Sequence, residues 1–186
     1  MTVNRVDSIP SRAVCDELMV QYAMLPNIVK HSRQVMKVAL AIADNVPSRV
    51  TVNRNLVMAA ALLHDITKTK SLETKEHHDR SGGALLRELG FPSTADIVEQ
   101  HVIIKDFNLG GMLEEREIVY YADKRVLHDT IVTIEERVSD LIQRYGVTEA
   151  IRNQILQNKI QALAVERKIS GLMTIDLHRV IQAVVS

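Results

Sequence analysis

An almost wholly apolar run from Leu56 to Leu63 ends on the adjacent pair His64-Asp65. Val57-Met58-Ala59-Ala60-Ala61-Leu62-Leu63 is apolar all round and rich in strong helix formers, the composition of a helix buried on every side. Burying an imidazole and a carboxylate together at its end is costly unless each finds a partner. A divalent cation would hold both at once.

Glycine and proline are scarce, 7 and 4 in 186 residues, and β-branched alternation is rare, so the chain reads as all-α. That length fits a single domain over 1–186, with a core over about 25–130 and a C-terminal helical appendage over 131–186. Lys+Arg and Asp+Glu both number 23, so no bulk field draws nucleic acid or an acidic membrane. Trp is absent, and with 2 Phe and 4 Tyr the stacking platforms that nucleic acid needs are scarce. No apolar run is long enough to cross a bilayer, and Met1 to Arg12 lacks the apolar centre of a secretion signal. The expectation is a soluble cytoplasmic protein without nucleic-acid or membrane partners. Seven His against the single Cys15 favour nitrogen and oxygen ligands over thiolates, and exclude an internal disulfide.

Along the chain, Ser11 caps a predicted helix to about Met24, closed by Pro26, and Asn27 starts a second that Pro47 ends. The apolar stripe of the second helix reads Ile28, His31, Val35, Val38 and Ile42. Asn53 or Asn55 opens the central helix, whose last turn carries His64 and Asp65. Thr67 to Lys75 is polar and reads as a loop. A helix from His77 or His78 to Leu89 is stopped by Gly90 and Pro92. One capped near Ser93-Thr94 then sets Ile97, His101 and Ile104 on one face. Asp106 to Gly111 reads as a turn, and Glu114 to about His128 as a helix with Val119, Asp123 and Val126 sharing a face.

Thr133-Ile134-Glu135-Glu136 fits the capping box of a helix that Gly146 ends. Thr148 starts the longest helix, to about Ser170 and broken by Gly171; Thr174 to Val185 forms the last. Beyond about Ile134 no pattern marks a site, and the stretch reads as a packing or dimerising appendage, which makes a homodimer an expected partner.

His31, His64, His101 and Asp123 each occupy a slot where the helical period asks for an apolar side chain. A single such histidine is more often a core residue hydrogen-bonded to a carbonyl. Repetition across separate helices favours pairing or metal binding, because buried charges need one or the other. Imidazoles with carboxylates suit iron, manganese, zinc, cobalt or nickel better than calcium.

A lone His31 on an early helix, His64-Asp65 ending the next, and Asp123 in Tyr121-Ala122-Asp123-Lys124 resemble the HD-domain metal-dependent phosphohydrolases. His64-Asp65-Ile66-Thr67-Lys68 is similar to that superfamily's His-Asp-x-x-Lys, with Thr67 where a glycine is usual. His78-Asp79-Arg80-Ser81-Gly82 and Glu99-Gln100-His101 resemble the segments of members with a second metal. The resemblance covers about residues 25–130 and implies an HD-domain helical bundle with additional C-terminal helices. It implies a first divalent transition metal on His31, His64, Asp65 and Asp123, and a second on His78 and His101 with Asp65 bridging; His77 is the alternative to His78. A water ionised on such a metal would be the nucleophile. Asp65, Lys68 and His64 would carry the chemistry, Lys68 steadying the phosphate. The implied substrate is a small phosphorylated metabolite, a nucleotide above all. The motif set looks nearest to small bacterial HD hydrolases of dinucleoside polyphosphates. The alternative is a non-catalytic nucleotide- or metal-binding regulatory module.

Other features read more plainly. His128 and His178 read as surface residues late in helices. Gly82-Gly83 fits a phosphate approach or a close helix contact equally well. Lys68, Lys70, Lys75 and Arg80 form either a solvated loop or a phosphate clamp. Lys124 and Arg125 point away from Asp123, with Arg125 long enough to reach a substrate phosphate.

Overall fold

In the computed structural model, which describes residues 8–185, Ser11 caps α1 (Arg12–Gln21) by accepting from the Val14 amide. Pro26 does not close that helix. It is the first residue of α2 (Pro26–Asn45), where a missing N–H costs nothing because the first helical turn has no partner for it. Asn53, not Asn55, caps α3 (Arg54–Leu63). From Ala59 to Leu63 every side chain of α3 is fully buried, enclosed by α1, α2, α6 (Pro92–Val98) and α7 (Glu115–Lys124). Truncating Leu62 or Leu63 to alanine there would cost roughly 2–5 kcal/mol in lost transfer energy and cavity.

The central helix ends one residue before His64. His64 caps it, and residues 64–67 form a tight turn closed by Ile66 N–H to Leu63 O (3.0 Å) and Lys68 N–H to Asp65 O (2.9 Å). The expected loop at 67–75 is instead the short helix α4 (Lys68–Thr74), which ends on Lys75 at φ 60°. It buries no side chain, so no apolar period betrays it in the sequence. The next helix, α5 (His78–Glu88), packs on α6 so closely that a Cβ on Gly83 would lie 2.1 Å from Glu99 Cγ. Close packing thus accounts for Gly83.

Pro92 again opens a helix rather than stopping one, and α6 ends at Val98, so His101 and Ile104 lie beyond it in a bend. The helix expected to run to His128 ends at Lys124. Val126–Leu127 (β1) pairs antiparallel with Thr130–Ile131 (β2), and His128 takes φ 56° at the turn between them. The β-branched residues Val126, Thr130 and Ile131 prefer the extended chain.

Thr133 and Glu136 form the expected capping box of α8 (Ile134–Tyr145). The long α9 (Glu149–Leu172) runs through Gly171, because nothing approaches within 4 Å of that position and no turn is imposed there. Asp176 caps α10 (Leu177–Gln182), so His178 stands at the start of a helix and not late in one; a single 3-10 turn, Ala183–Val185, follows. α9 packs Ala162, Val165 and Ile169 into the core beside α7, and α10 lies against α2. Among the described residues no helix is long and apolar enough to cross a membrane.

Candidate metal centre

Five separate segments deliver the ionisable side chains singled out above to one place. His31 comes from the second turn of α2, and His64 and Asp65 from the turn that ends α3. His78 opens α5, His101 lies in the bend after α6, and Asp123 sits near the end of α7. His31 Nε2 lies 3.0 Å from Asp123 Oδ1, while His64 Nε2 lies 3.4 Å from Asp65 Oδ2 and 3.6 Å from Asp123 Oδ1. On the other side of Asp65, its Oδ1 is 3.3 Å from His78 Nε2 and 3.6 Å from His101 Nε2. Two sets of donor atoms lie within 4.8 Å of one another, His31 with His64 and Asp65, and Asp65 with His78 and His101. Asp65 belongs to both. His77 is exposed at the cap of α5 and belongs to neither set.

The backbone fixes which nitrogen of three rings points inward. The Nδ1–H of His31 donates to His128 O (2.8 Å), that of His64 to Ala61 O (2.8 Å) and that of His101 to Val98 O (2.7 Å). A histidine held at one nitrogen by a carbonyl offers the other as an oriented lone pair, the usual arrangement around protein-bound metals. Nothing in the sequence marks these carbonyls. His128 contributes through one of them and lines the cavity; it is exposed as expected, but in the hairpin turn and not in a helix.

Two atoms at the middle of the cluster, His64 Nε2 and Asp65 Oδ1, are buried without a hydrogen-bond partner among the described residues. Orphaned buried polar atoms of this kind are rare in folded proteins and need a partner the protein itself does not supply. Imidazole nitrogens and carboxylate oxygens at these separations suit a divalent transition metal. The residues therefore fit such an ion, with room for a second about Asp65.

Electrostatics of the metal-free protein agree. Burial pushes the Asp65 carboxyl up, but the charges of His64 and Lys68 outweigh it and hold Asp65 well below the ordinary carboxylate range. Asp123 behaves alike under burial, Lys124 and His31. Burial pulls His64 down, yet Asp65 and Asp123 more than compensate and the net shift is upward. That upward shift reflects surplus negative charge around His64, which a cation would neutralise. His78 is pulled down to about 4 by burial and by neighbouring His101, and burial also lowers His101. Both are therefore neutral near pH 7.

Lys68 Nζ donates to Asp65 Oδ2 (2.8 Å) from the first turn of α4. Lys124, expected to point away, turns inward: it donates to Asp123 Oδ2 (2.6 Å) and to His101 O (2.9 Å). Arg125, expected within reach of a phosphate, is buried on the far side, donating to Tyr121 Oη (2.7 Å) and Val132 O (2.7 Å). His178 is half-exposed beside it, 3.1 Å from Arg125 Nη1. Thr67, in place of the usual glycine, has φ −100° and so needs no glycine; its hydroxyl donates to His78 O (2.9 Å) and ties α5 to the turn.

The cluster floors a cavity of about 470 Å³. Its opposite wall is made by α8 and α9, including Val138, Leu141 and Ile155, so residues in which the sequence showed no site help to enclose it.

The fold and site together define a helical bundle with a buried histidine and carboxylate centre compatible with a divalent metal. The chain belongs to the HD domain family, whose profile matches residues 28–128, just over half of it, and the match takes in every residue from His31 to Asp123 named above. The chain is also similar to the tRNA (cytidine(56)-2'-O)-methyltransferase of Picrophilus torridus, at 28% identity over 149 residues, covering 73% of this chain and 42% of that protein. The protein of the same name from Thermoplasma volcanium is 32% identical over 99 residues, covering 53% of this chain and 28% of its own length. The chain thus spans less than half the length of these relatives. No solved structure matches it.

Proposed function

We propose that the chain is a metal-dependent phosphohydrolase that cleaves a phosphoester or phosphoanhydride of a small metabolite, a nucleotide in the first instance. The observation that carries this reading is the orphaned pair His64 Nε2 and Asp65 Oδ1, buried where the cluster floors a substrate-sized cavity. His31, His64, Asp65 and Asp123 would hold one metal, and Asp65, His78 and His101 a second. Bound there, the ion supplies an acidified water and a Lewis acid for a phosphoryl oxygen.

The chain's own residues do the rest. Asp65 and Asp123 carry the negative charge that retains the ion. Lys68 and Lys124, which line the cavity beside these carboxylates, would serve as phosphate-binding point charges. The carbonyls of Ala61, Val98 and His128 keep the imidazoles in one tautomer. The substrate sits between this floor and the wall made by α8 and α9.

Protein purified without chelator, analysed for metal and supplied with Mn²⁺ or Fe²⁺, should release phosphate from a member of a nucleotide and phosphoester panel. His64→Ala and Asp65→Ala should each abolish release. Full activity in both variants would end the reading.

The relatives' shared name supports a second reading, a non-catalytic module that binds a nucleotide within tRNA. The likeness to the Picrophilus protein takes in 73% of the chain, more than residues 28–128 alone. A formal net charge of zero weakens the RNA part. Retained metal, no hydrolysis across the panel and salt-sensitive tRNA binding would favour this reading over the first.

A further inference from the structure

The cavity has cations on both walls, and among the described residues all but one have a hydrogen-bonded carboxylate partner. Lys68 pairs with Asp65 (2.8 Å) and Lys124 with Asp123 (2.6 Å). On the helical wall, Lys159 reaches Glu135 (3.1 Å), and Arg144 occupies Asp140 Oδ2 with both Nε (2.9 Å) and Nη2. Arg137, on α8, is left with that same oxygen at 3.8 Å, too far for a hydrogen bond. Its side chain is only 14% exposed, and its Nε is buried with no partner among the described residues. A guanidinium held this way loses hydration at its Nε without recovering a bond there. Arg137 and Lys68 line this one cavity from facing sides. Like charges converging on one cavity call for an anion between them.

We infer that Arg137 binds a second anionic group of the substrate, a phosphate adjoining the one held at the metal centre. The C-terminal helices thereby choose substrates with two neighbouring phosphates over those with one. The inference rests on the reading that the cavity receives a phosphorylated substrate. It assigns α8 a part that no HD motif residue carries: the planar fork of Arg137 grips the distal phosphate, while Val138, Leu141 and Ile155 beside it receive the uncharged body.

The test titrates the full metal-bearing chain by calorimetry with two non-hydrolysable probes, methylenediphosphonate and methylphosphonate. One charge-assisted hydrogen-bonded contact corresponds to about tenfold or more in affinity, so the wild type should prefer the diphosphonate by at least about tenfold. Arg137→Ala should reduce that preference to under about threefold, leave methylphosphonate affinity within about threefold, and keep the wild-type melting temperature. Arg137→Lys should retain part of the preference. Arg137→Gln, which keeps most of the stem, must repeat the alanine result should alanine lower the melting temperature.

A wild type without the preference, a variant that keeps it, or an equal loss of both affinities overturns the inference. Hydrolysis by wild type and Asp65→Ala is followed in parallel. Preference lost in Arg137→Ala while the wild type hydrolyses nothing keeps the anion site and removes the hydrolase reading. Hydrolysis abolished in Asp65→Ala while Arg137→Ala keeps the preference does the reverse.

Discussion

The Nε2 atoms of His78 and His101 stand 3.2 Å apart. Two ring nitrogens at that distance cannot both present lone pairs, nor both present protons; one proton or one cation must lie between them. His101 already donates its Nδ1–H to Val98 O, so without metal the proton between the rings sits on His78, and neither ring is charged near pH 7.

That arrangement sets a pH dependence in the metal-free protein. An unfolded His78 ionises near 6.5 and the folded one only near 4, so between these values the unfolded chain binds the proton. Stability therefore falls as pH drops through this window, by on the order of 3 kcal/mol at its lower end. In urea unfolding with chelator present, going from pH 7 to about 4.5 should cost the wild type about 2 kcal/mol more than His78→Gln. Equal losses in the two proteins would show that His78 is not so perturbed.

Removing metal tests the orphaned atoms directly. An ion that binds only the folded chain stabilises it by about 2.7 kcal/mol at a hundredfold excess over its dissociation constant. At this chain length that corresponds to roughly 5–10 °C in Tm. Chelation should therefore lower the wild-type Tm by about that much, with Mn²⁺ or Zn²⁺ restoring it, and should leave Asp65→Ala unmoved. A wild type indifferent to chelator would mean that His64 and Asp65 are satisfied some other way.

The sequence was legible where one pattern served one purpose. All-helical class follows from the apolar period, and His31, His64, His101 and Asp123 stood out because they broke it. Less legible were proline and short helices. Pro26 and Pro92 occur equally well as stops or as first residues, and which applies depends on what the preceding residues pack against. The helix Lys68–Thr74 buries nothing and left no period to read. The ending of α7 at Lys124 depends on a hairpin whose turn residue, His128, takes a backbone conformation that the sequence does not announce. Just before it, Lys124 turns to Asp123, and Arg125 is buried against Tyr121 and Val132. Arg137 was invisible for a different reason: it and Arg144 line the same cavity from one amphipathic helix, and only the hydrogen bonds of Arg144 to Asp140 set the two apart.

Lys168 and Glu117 form a buried ion pair at 2.7 Å that fixes the entry to α7. The same ammonium donates to Asn108 O (2.9 Å) and Met112 O (2.8 Å), so it ties the 108–112 loop to α9 as well. Removing one partner strands the other charge away from water, at a cost of about 3–5 kcal/mol. Lys168→Met should lose about that much stability in urea unfolding, and the double variant with Glu117→Gln should lose clearly less than the sum of the single losses. Strict additivity would mean that the pair contributes no coupling.

The last prediction concerns how a hairpin serves the metal centre. His128 O accepts from His31 Nδ1 at 2.8 Å, and it is in place only because His128 has φ 56°. Glycine adopts that conformation freely and histidine tolerates it, whereas a β-branched residue resists it by about 1–2 kcal/mol. His128→Ile should therefore swing the carbonyl away, release the His31 ring and weaken metal binding roughly 10–100-fold, the usual effect of losing a group that orients a ligand. His128→Gly deletes the imidazole but keeps the turn, so its metal affinity should stay within about threefold of wild type. Competition against a fluorescent chelator measures both. Weakening of the same size in the two variants would assign the effect to the His128 side chain and refute the role of its carbonyl.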